Sequence, residues 1–416
     1  MRFERTNYAS GAPKENILGY SRVVKVGPFI EVGGTTSVQS DGSVYAEHDS
    51  YGQVKYVLEK QIKLVQEAGG SKEDIYKFKI FVTPEYNRLE GMKAIEELFG
   101  EEQPICIIAP IHSLVRPPQV VEIELSACAG CGKGKIWEGI ELKKKFLYSV
   151  ENEKRFSTAV KLGPFIYTTA IKVDDEVKLD EMKDNSDAQD DVIYSRCMEL
   201  VEMLGGTVED VVKIDSLATK DFRKHRGAQK ETYYSNYFKP VKPLHTMVYV
   251  PALAKKNQLV QHEIFAIKGC GGNEKLKEWG DLDFRRINIA SGSPLEEKSG
   301  YSRIVKAGPF VYCGGTTSVQ PDGSVANEKD SLGQESYVIK KFMRLLEPIG
   351  VNASEVIQCR AYRTPDYNEY KGNEPGYYAE ILKPVKPLYT GLHIEELTRP
   401  TQLVEFEMNA ILGCGK

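Results

Sequence analysis

The chain has 416 residues, too many for one ordinary hydrophobic core, and this length predicts about two to four domains. Its 55 lysines and arginines against 59 aspartates and glutamates give a net charge of −4, which favours neither nucleic acid nor an anionic membrane as partner. The N-terminal segment lacks the apolar stretch of a signal peptide and no apolar run could span a membrane, so we expect a cytoplasmic protein. Eight cysteines are too sparse for a disulfide scaffold.

The sequence contains an internal repeat. The segment "GYSRVVKVGPFIEVGGTTSVQSDGSV" at 19–44 returns almost unchanged at 300–325, and "KLGPFIYTTAIKVD" at 161–174 is a more divergent copy. Three closing segments also match without a gap: "RPPQVVEIELSACAGCG", "KKNQLVQHEIFAIKGCG" and "RPTQLVEFEMNAILGCG". Exposed linker compositions near Gly134 and Asn273 separate the copies. The repeat therefore predicts three tandem domains, at 1–134, 135–274 and 275–416.

Within the first repeat the elements follow a fixed order. Two short strands are broken by Gly27-Pro28, and "SDGSV" marks a turn. Apolar residues at helical spacing predict a helix from Asp49 that Gly69-Gly70 ends. "SKEDIYKFKIFVT" predicts a capped turn and a strand, "RLEGMKAIEELFG" a second helix, and two strands close the repeat. The order β-β-(β)-α-β-α-β-β predicts an α+β fold, with a mixed sheet and two helices in each domain.

The closing strand has two different faces. Val121, Ile123 and Leu125 point one way, while Glu122 and Glu124 point the other. We expect the apolar face to pack on the helices and the carboxylate face to be covered by the other copies. Three such sheets can face inward around a pseudo-threefold axis, with clefts where they meet. The chain is therefore predicted to be a monomer that forms an intramolecular pseudo-trimer.

The order of elements and several motifs resemble the Rid family, the YjgF-like imine and enamine deaminases. The motifs are the "GYSR…VGPF…GGTT" opening, "LGGTVEDVVKIDSLAT" in the middle repeat and the "Q(L/V)V…E" closing strand. The resemblance covers nearly the whole chain and is strongest in the first and third repeats. It implies chorismate-mutase-like domains with active sites in the clefts between them. It also implies that a small imine, enamine or related C=N compound is hydrolysed to ammonia and a carbonyl compound, with no cofactor.

The resemblance places the family's catalytic glutamate on Glu124, Glu263 and Glu407, where a carboxylate can take a proton from water and return it to the leaving nitrogen. The alternative is a strand glutamate that faces solvent. The family's cleft tyrosine falls on Tyr20 and Tyr301 and is replaced by Phe156 in the middle repeat, unless these tyrosines are half-buried core residues.

The arginine that binds the substrate carboxylate in the family is missing from "QPICIIAP", "KPLHTMVYV" and "KPLYTGLHI". Its loss puts imino acids in doubt as substrates, because a planar fork holds a carboxylate in register. Arg22 and Arg303 could supply a replacement cation from the first strand. Arg116 and Arg399 are further candidates for contact with substrate, with loop capping as their alternative.

The "GGTT" motif supplies Gly34 and Thr35 in the first repeat and Gly315 and Thr316 in the third. Its glycines permit close approach, and its hydroxyl and N–H groups could bind an oxyanion or a carbonyl oxygen. A β-bulge is the alternative. The middle repeat has "TTAI" instead, so the three clefts are expected to be inequivalent.

Each repeat ends in Gly-Cys-Gly, at Cys131, Cys270 and Cys414, and Cys128 adds a Cys-x-x-Cys in the first repeat. These thiols could turn the chain or converge on zinc or an iron–sulfur cluster. We predict no metal or cofactor. The main alternative to a deaminase is a non-catalytic small-molecule binding protein, or a repurposed hydrolase or lyase on the same scaffold.

Overall fold

A computed structural model describes residues 3–100, 103–151, 154–372 and 376–415. Ten α-helices are present in these residues: α1 Pro13–Leu18, α2 Ser50–Glu67, α3 Arg88–Phe99, α4 Glu176–Glu181, α5 Ser186–Met203, α6 Lys220–Lys224, α7 Lys239–Val241, α8 Pro294–Ser299, α9 Ser331–Leu346 and α10 Tyr377–Ile381. None of these described helices has the length and apolar character needed to cross a bilayer.

The strands form three large sheets and one small one. The first sheet contains β1 Arg5–Tyr8, β2 Val23–Val26, β3 Phe29–Thr35, β4 Ile75–Val82, β5 Ile105–Pro110 and β6 Val121–Cys128. A two-stranded sheet of β7 Lys135–Trp137 and β8 Ile140–Leu142 follows. The second large sheet contains β9 Lys144–Glu151, β10 Lys154–Leu162, β11 Phe165–Thr168, β12 Val211–Ala218, β13 Leu244–Tyr249 and β14 Val260–Ile267. The third contains β15 Arg286–Ile289, β16 Ile304–Ala307, β17 Phe310–Thr316, β18 Val356–Arg363, β19 Leu388–His393 and β20 Val404–Ile411.

The three large sheets share one strand order, β1-β2-β3-β6-β4-β5 in the first and its equivalents in the other two. Only the last pair of each sheet is parallel, so the sheets are mixed, as predicted. The optional strand of the predicted order lies elsewhere than expected. It precedes the "GYSR" segment as the edge strand β1, because Arg5–Tyr8 pairs with Val23–Val26.

The first long helix forms where the sequence predicts it. The Asp49 side chain accepts a hydrogen bond from the Gly52 N–H and caps α2, and Gly69, at φ 82°, follows its end. Val54 and Leu58 are fully buried and pack against Ile123 of β6 in one core cluster. The apolar face of the closing strand therefore lies under the helices, which leaves its carboxylate face toward the other sheets.

The three sheets meet face to face. Phe29, Phe165 and Phe310 form a triangle of edge-to-face rings, with centroids 5.2–5.6 Å apart. Three junctions close the ring of sheets. At the first junction Ser21 bridges to Leu388, at the second Ser302 bridges to Leu244, and at the third the Ser157 hydroxyl donates to the Gln103 carbonyl. Every sheet thus presents its first strands to the parallel edge of another.

Candidate functional site at the sheet junctions

The three glutamates predicted to be catalytic lie in a layer of ion pairs between the sheets. Glu124 and Glu407 both bind Arg360, Glu407 at 2.5 Å. The Lys213 ammonium lies 2.7 Å from Glu407 and 2.9 Å from Asp215. Glu263 pairs with Lys79 at 2.8 Å. We call these seven residues the ion-pair layer.

The ion-pair layer keeps its carboxylates charged. Burial opposes ionisation of Glu407, but Lys213 and Arg360 outweigh it, so the pKa of this carboxyl lies well below its usual range. The pKa of Glu124 is lowered in the same way, because Arg360 outweighs burial. A carboxylate held by a guanidinium is a weak base. The environment of Glu124 and Glu407 therefore suits a structural anion better than a proton carrier.

Two residues earlier on the same strands, Glu122 and Glu405 have the opposite environment. Both are buried, and neither has an ion pair or hydrogen bond among the described residues. Burial raises the pKa of Glu122 to about 7, although the charge of Arg22 partly opposes it. Burial and the neighbouring Glu407 raise the pKa of Glu405 to about 8, against the effect of Arg303. Carboxyls that titrate near neutrality are suited to acid–base chemistry.

The "GGTT" glycines create the room that these carboxyls occupy. A Cβ on Gly34 would collide with the Glu122 carboxylate, and one on Gly315 with that of Glu405. The β3–β6 register shifts between Val32 and Thr35, so the glycines lie in a β-bulge, as the alternative interpretation predicted. The equivalent shift occurs in β17 between Cys313 and Thr316.

The motif's polar groups already have protein partners. The Gly34 N–H donates to the Thr390 hydroxyl across the first junction at 3.1 Å, and the Gly315 N–H donates to the Thr246 hydroxyl across the second junction at 2.9 Å. The Thr35 and Thr316 hydroxyls donate to carbonyls of their own strands, at 2.8 and 2.9 Å. A bound oxyanion would therefore have to displace a threonine of the neighbouring sheet.

Arg22 holds together the first repeat's side of the first junction. Its Nε pairs with Glu15 of α1 at 3.1 Å, Nη1 donates to the Gly34 carbonyl, and Nη2 donates to the Tyr20 hydroxyl at 3.2 Å. Burial, as the largest influence, raises the pKa of Tyr20, so this phenol stays protonated.

Arg303 repeats these contacts at the second junction. It pairs with Glu296 at 2.9 Å and donates to the Tyr301 hydroxyl at 3.3 Å. It also donates to the Gly315 carbonyl at 2.5 Å and to the Thr316 hydroxyl at 3.1 Å. Burial raises the pKa of Tyr301 as well. Both arginines thus face the candidate carboxyls while cross-linking the strands around them.

Arg116 and Arg399 contact turns. Each donates from Nη1 to a glycine carbonyl of the "DGS" turn in its own repeat, at Gly42 and Gly323 respectively. These contacts correspond to the loop-capping alternative. In the middle repeat the Lys255 ammonium similarly donates to the Asp174 carbonyl, at 2.6 Å.

The repeated cysteines each bond to a different short turn. The thiols of Cys131, Cys270 and Cys414 donate to the carbonyls of Asp74, Asp210 and Glu355 at 3.3, 3.4 and 3.6 Å. Each of these carbonyls ends a short 3-10 turn. Among the described residues no group of three His, Cys, Asp or Glu side chains is placed to hold a metal ion. The cysteines therefore anchor the strand exits.

The third junction lacks the features of the other two. Gln261 occupies the strand position of Glu122 and Glu405, since it pairs with Leu217 as they pair with Phe81 and Tyr362. The Gln261 amide donates to the Ile108 carbonyl at 3.0 Å. Side chains of the divergent repeat donate here to backbone carbonyls of the first repeat, and Glu263 binds Lys79. Among the described residues no carboxyl takes the place of Glu122 or Glu405 at this junction.

Sequence reasoning missed Glu122 and Glu405 as the carboxyls with near-neutral pKa. A signal was present, since both glutamates of "VVEIEL" and "LVEFEM" alternate onto one strand face, and only the earlier one is replaced by glutamine in the middle repeat. The threonines Thr390 and Thr246 were also missed, because they belong to the strand segment that lacks the family's arginine.

The sheets and their junctions define an α+β protein of the Rid type. Residues 11–129 and 292–412, more than half of the chain, match the family model described as endoribonuclease L-PSP. The chain belongs to this family, which includes the YjgF, Rid and RutC proteins, and the predicted resemblance is confirmed.

Individual relatives match one repeat at a time. A RutC family protein of Pyrococcus abyssi is 30% identical over 122 residues, which cover 29% of this chain and 93% of the relative. An uncharacterized protein of Streptomyces coelicolor is 26% identical over 121 residues, or 29% of this chain and 90% of the relative. The crystal structure of a YjgF/YER057c/UK114 family member from Mycobacterium tuberculosis is 28% identical and covers 30% of this chain and all of its own, with a TM-score of 0.27. A chorismatase structure covers 81% of this chain and 93% of its own at 12% identity, with a TM-score of 0.48.

Proposed function

We propose that the protein is a cofactor-independent hydrolase that deaminates a small imine, enamine or related C=N compound at the first and second junctions. The observation that carries this proposal is the pair of buried carboxyls, Glu122 and Glu405, whose pKa values lie near neutrality at about 7 and 8. Each interacts electrostatically with a tyrosine and an arginine from the segment that precedes the second strand of its sheet. Family membership supports the reaction class.

The reaction needs one group that gives and takes a proton. The protonated carboxyl of Glu122 donates its proton to the imine nitrogen, and the resulting carboxylate then takes a proton from the attacking water. Glu122 returns this proton to the carbinolamine nitrogen, and ammonia leaves as the carbinolamine hydroxyl gives its proton to the Glu122 carboxylate. The carbonyl product remains and the acid form of Glu122 is restored. Tyr20, held as a phenol, can donate a hydrogen bond to the substrate. Glu405 and Tyr301 would act in the same way at the second junction.

We assign positioning roles to the residues originally expected to be catalytic. Glu124, Glu263 and Glu407 fix the sheets through the ion-pair layer. Arg22 and Arg303 hold the glycine carbonyl and the tyrosine hydroxyl in place, and they keep further N–H groups for an anionic or carbonyl oxygen of the substrate. Gly34 and Gly315 leave space for the two carboxyls, and the hydroxyls of Thr35 and Thr316 bind backbone carbonyls of the same bulges.

We further propose that the three sheets are three tandem copies of the family's domain, at 1–134, 135–274 and 275–416, that form a pseudo-trimer within one chain. The shared strand order and the central phenylalanine triangle support this architecture. Tandem fusion makes the inter-domain contacts independent of concentration. The chain should therefore sediment as a 46.7 kDa monomer, and an obligate trimer of chains would contradict the proposal.

The function is tested by ammonia release from imines generated in situ by an amino-acid oxidase, with a neutral imine for comparison. The double variant Glu122→Gln, Glu405→Gln should lose the rate above the spontaneous reaction. Glu263→Gln is the matched control, because it changes a strand glutamate that we place in the ion-pair layer. Unchanged ammonia release by the double variant would overturn the proposed function.

A further inference from the structure

A partly open chamber lies on the axis where the three sheets meet, separate from the junction residues Glu122 and Glu405. Its volume is about 150 Å³, and the inner faces of all three sheets line it. A dry protein cavity of about this size accommodates one benzene ring. The chamber is therefore large enough for one six-membered ring.

The lining of this axial chamber is aromatic on one side. Tyr167 stacks on Phe265 with centroids 4.6 Å apart, and Tyr76 and Tyr312 lie at 5.6 and 5.1 Å from these two rings. The phenylalanine triangle closes the end of the chamber. Faces and edges of this kind pack favourably against a planar ring.

The other side of the chamber carries one cation without a carboxylate partner. The three sheets have different residues at the equivalent position that follows the register shift: Lys77, Lys213 and Gln358. Their partners on the closing strands are Ser126, Phe265 and Asn409 respectively. Lys213 is neutralised by Glu407 and Asp215. Among the described residues Lys77 has no ion pair, and its ammonium lies 4.7 Å from the centre of the Tyr167 ring. Lys77 thus brings an ammonium without an ion-pair partner among the described residues into contact with the aromatic rings.

Two acids, Glu31 and Glu263, act on the charge of Lys77 without forming an ion pair with it. Glu31 accepts a hydrogen bond from the Ser126 hydroxyl at 2.6 Å, and burial raises its pKa, while Glu263 is paired with Lys79. Burial correspondingly lowers the pKa of Lys77. A buried ammonium without an ion-pair partner is costly, and an anion placed against it would offset part of that cost.

We propose that the axial chamber is a binding site for a small monocyclic aromatic carboxylate, with the ring among Tyr167, Phe265 and Tyr312 and the carboxylate on Lys77. The volume sets the ring size, the aromatic side selects a planar ring, and the unpaired ammonium selects the negative charge. The site does not depend on the deaminase reaction proposed above, since none of its contacts involves Glu122 or Glu405.

The test is calorimetric titration of the full chain at pH 6 with benzoate and with its neutral isostere benzamide. We expect benzoate to bind at least about tenfold more tightly, because only benzoate carries a negative charge that can form an ion pair with Lys77. In Lys77→Met this preference should disappear, while the melting temperature stays equal or rises because an unpaired buried charge is gone.

Two further variants complete the experiment. Lys213→Met removes the equivalent lysine of the second sheet and should keep the preference for benzoate while lowering the melting temperature, since Glu407 and Asp215 lose a partner. Ser126→Phe introduces the ring that Phe265 carries at the equivalent position and should block both ligands. Equal affinity of the wild-type chain for benzoate and benzamide, absence of binding by both, or an unchanged preference in Lys77→Met would overturn the proposal. Binding that survives Ser126→Phe but is lost with Glu122→Gln would place the ligand at a junction instead, which also overturns it.

Discussion

Arg360 and Glu124 form an ion pair between the third and the first sheet, 236 residues apart along the chain. Arg360 also lies opposite Glu407 in its own sheet and binds that carboxylate. One guanidinium therefore serves two sheets at once, close to the axis on which all three converge.

Arg360→Met should be among the most destabilising single substitutions in the chain. It leaves two carboxylates without their main partner in a low-dielectric layer, and a broken buried pair typically costs about 3–5 kcal/mol. The free energy of unfolding in urea measures this loss. Arg399→Met is the matched control because its arginine only caps a turn, and it should cost less than about half as much. Equal losses for the two variants would contradict the role given to the ion-pair layer.

The rate of ammonia release should follow the titration of Glu122 and Glu405. The mechanism starts from the protonated carboxyl, so the rate should be highest below about pH 7 and should fall as the pH passes the pKa values of about 7 and 8. In Glu122→Gln the remaining activity belongs to the second junction, and the pH at which it falls should move upward by about one pH unit. A profile that is identical in wild type, Glu122→Gln and Glu405→Gln would show that other groups transfer the proton.

Stability should fall as the pH rises from about 5 to 8. The folded-state pKa values of Glu122 and Glu405 exceed the ordinary value of 4.5, so the folded chain retains protons that the unfolded chain has lost. Their contribution is complete below about pH 4.5 and is lost as the pH passes 7 to 8, by a few kcal/mol in total. Urea unfolding at pH 5 and at pH 8 measures it. The double variant Glu122→Gln, Glu405→Gln should show a clearly smaller decrease between these two pH values.

Arg22→Lys together with Arg303→Lys should lower both stability and turnover. Lysine keeps the charge near Glu15 and Glu296 but cannot hold a carboxylate, a glycine carbonyl and a phenol simultaneously, as each guanidinium does. We expect the melting temperature to fall by several degrees and kcat by at least about tenfold. Unchanged stability with weakened substrate binding would instead assign these arginines to the substrate alone.

The sequence is informative where a single repeat determines the structure. Asp49 and the helical spacing of apolar residues place α2, and the alternation in β6 places Ile123 under the helices. The position of the extra edge strand was missed because "RTNY" carries little apolar pattern, and it is a strand only through its pairing with β2. The capping residues and the spacing of apolar residues within one repeat therefore predict most of the strands and the long helix of that repeat.

The sequence is least informative where two repeats meet. Glu122 and Glu124 lie on one face of one strand and are indistinguishable by periodicity. Their different proton affinities come from Gly34, which makes room for one carboxyl, and from Arg360, a residue of another repeat that binds the other. No spacing rule within a repeat contains that information.

The replacement of Glu122 and Glu405 by Gln261 has a genetic consequence. In an assembly of identical subunits one codon specifies every copy of a site, so a substitution that improves one copy alters all of them. Here each junction draws its residues from separate stretches of a single reading frame. One junction can therefore lose its acid and keep only its contacts between repeats, while the other two keep theirs. The residues of those two junctions can then change independently, so that each could come to bind a different molecule.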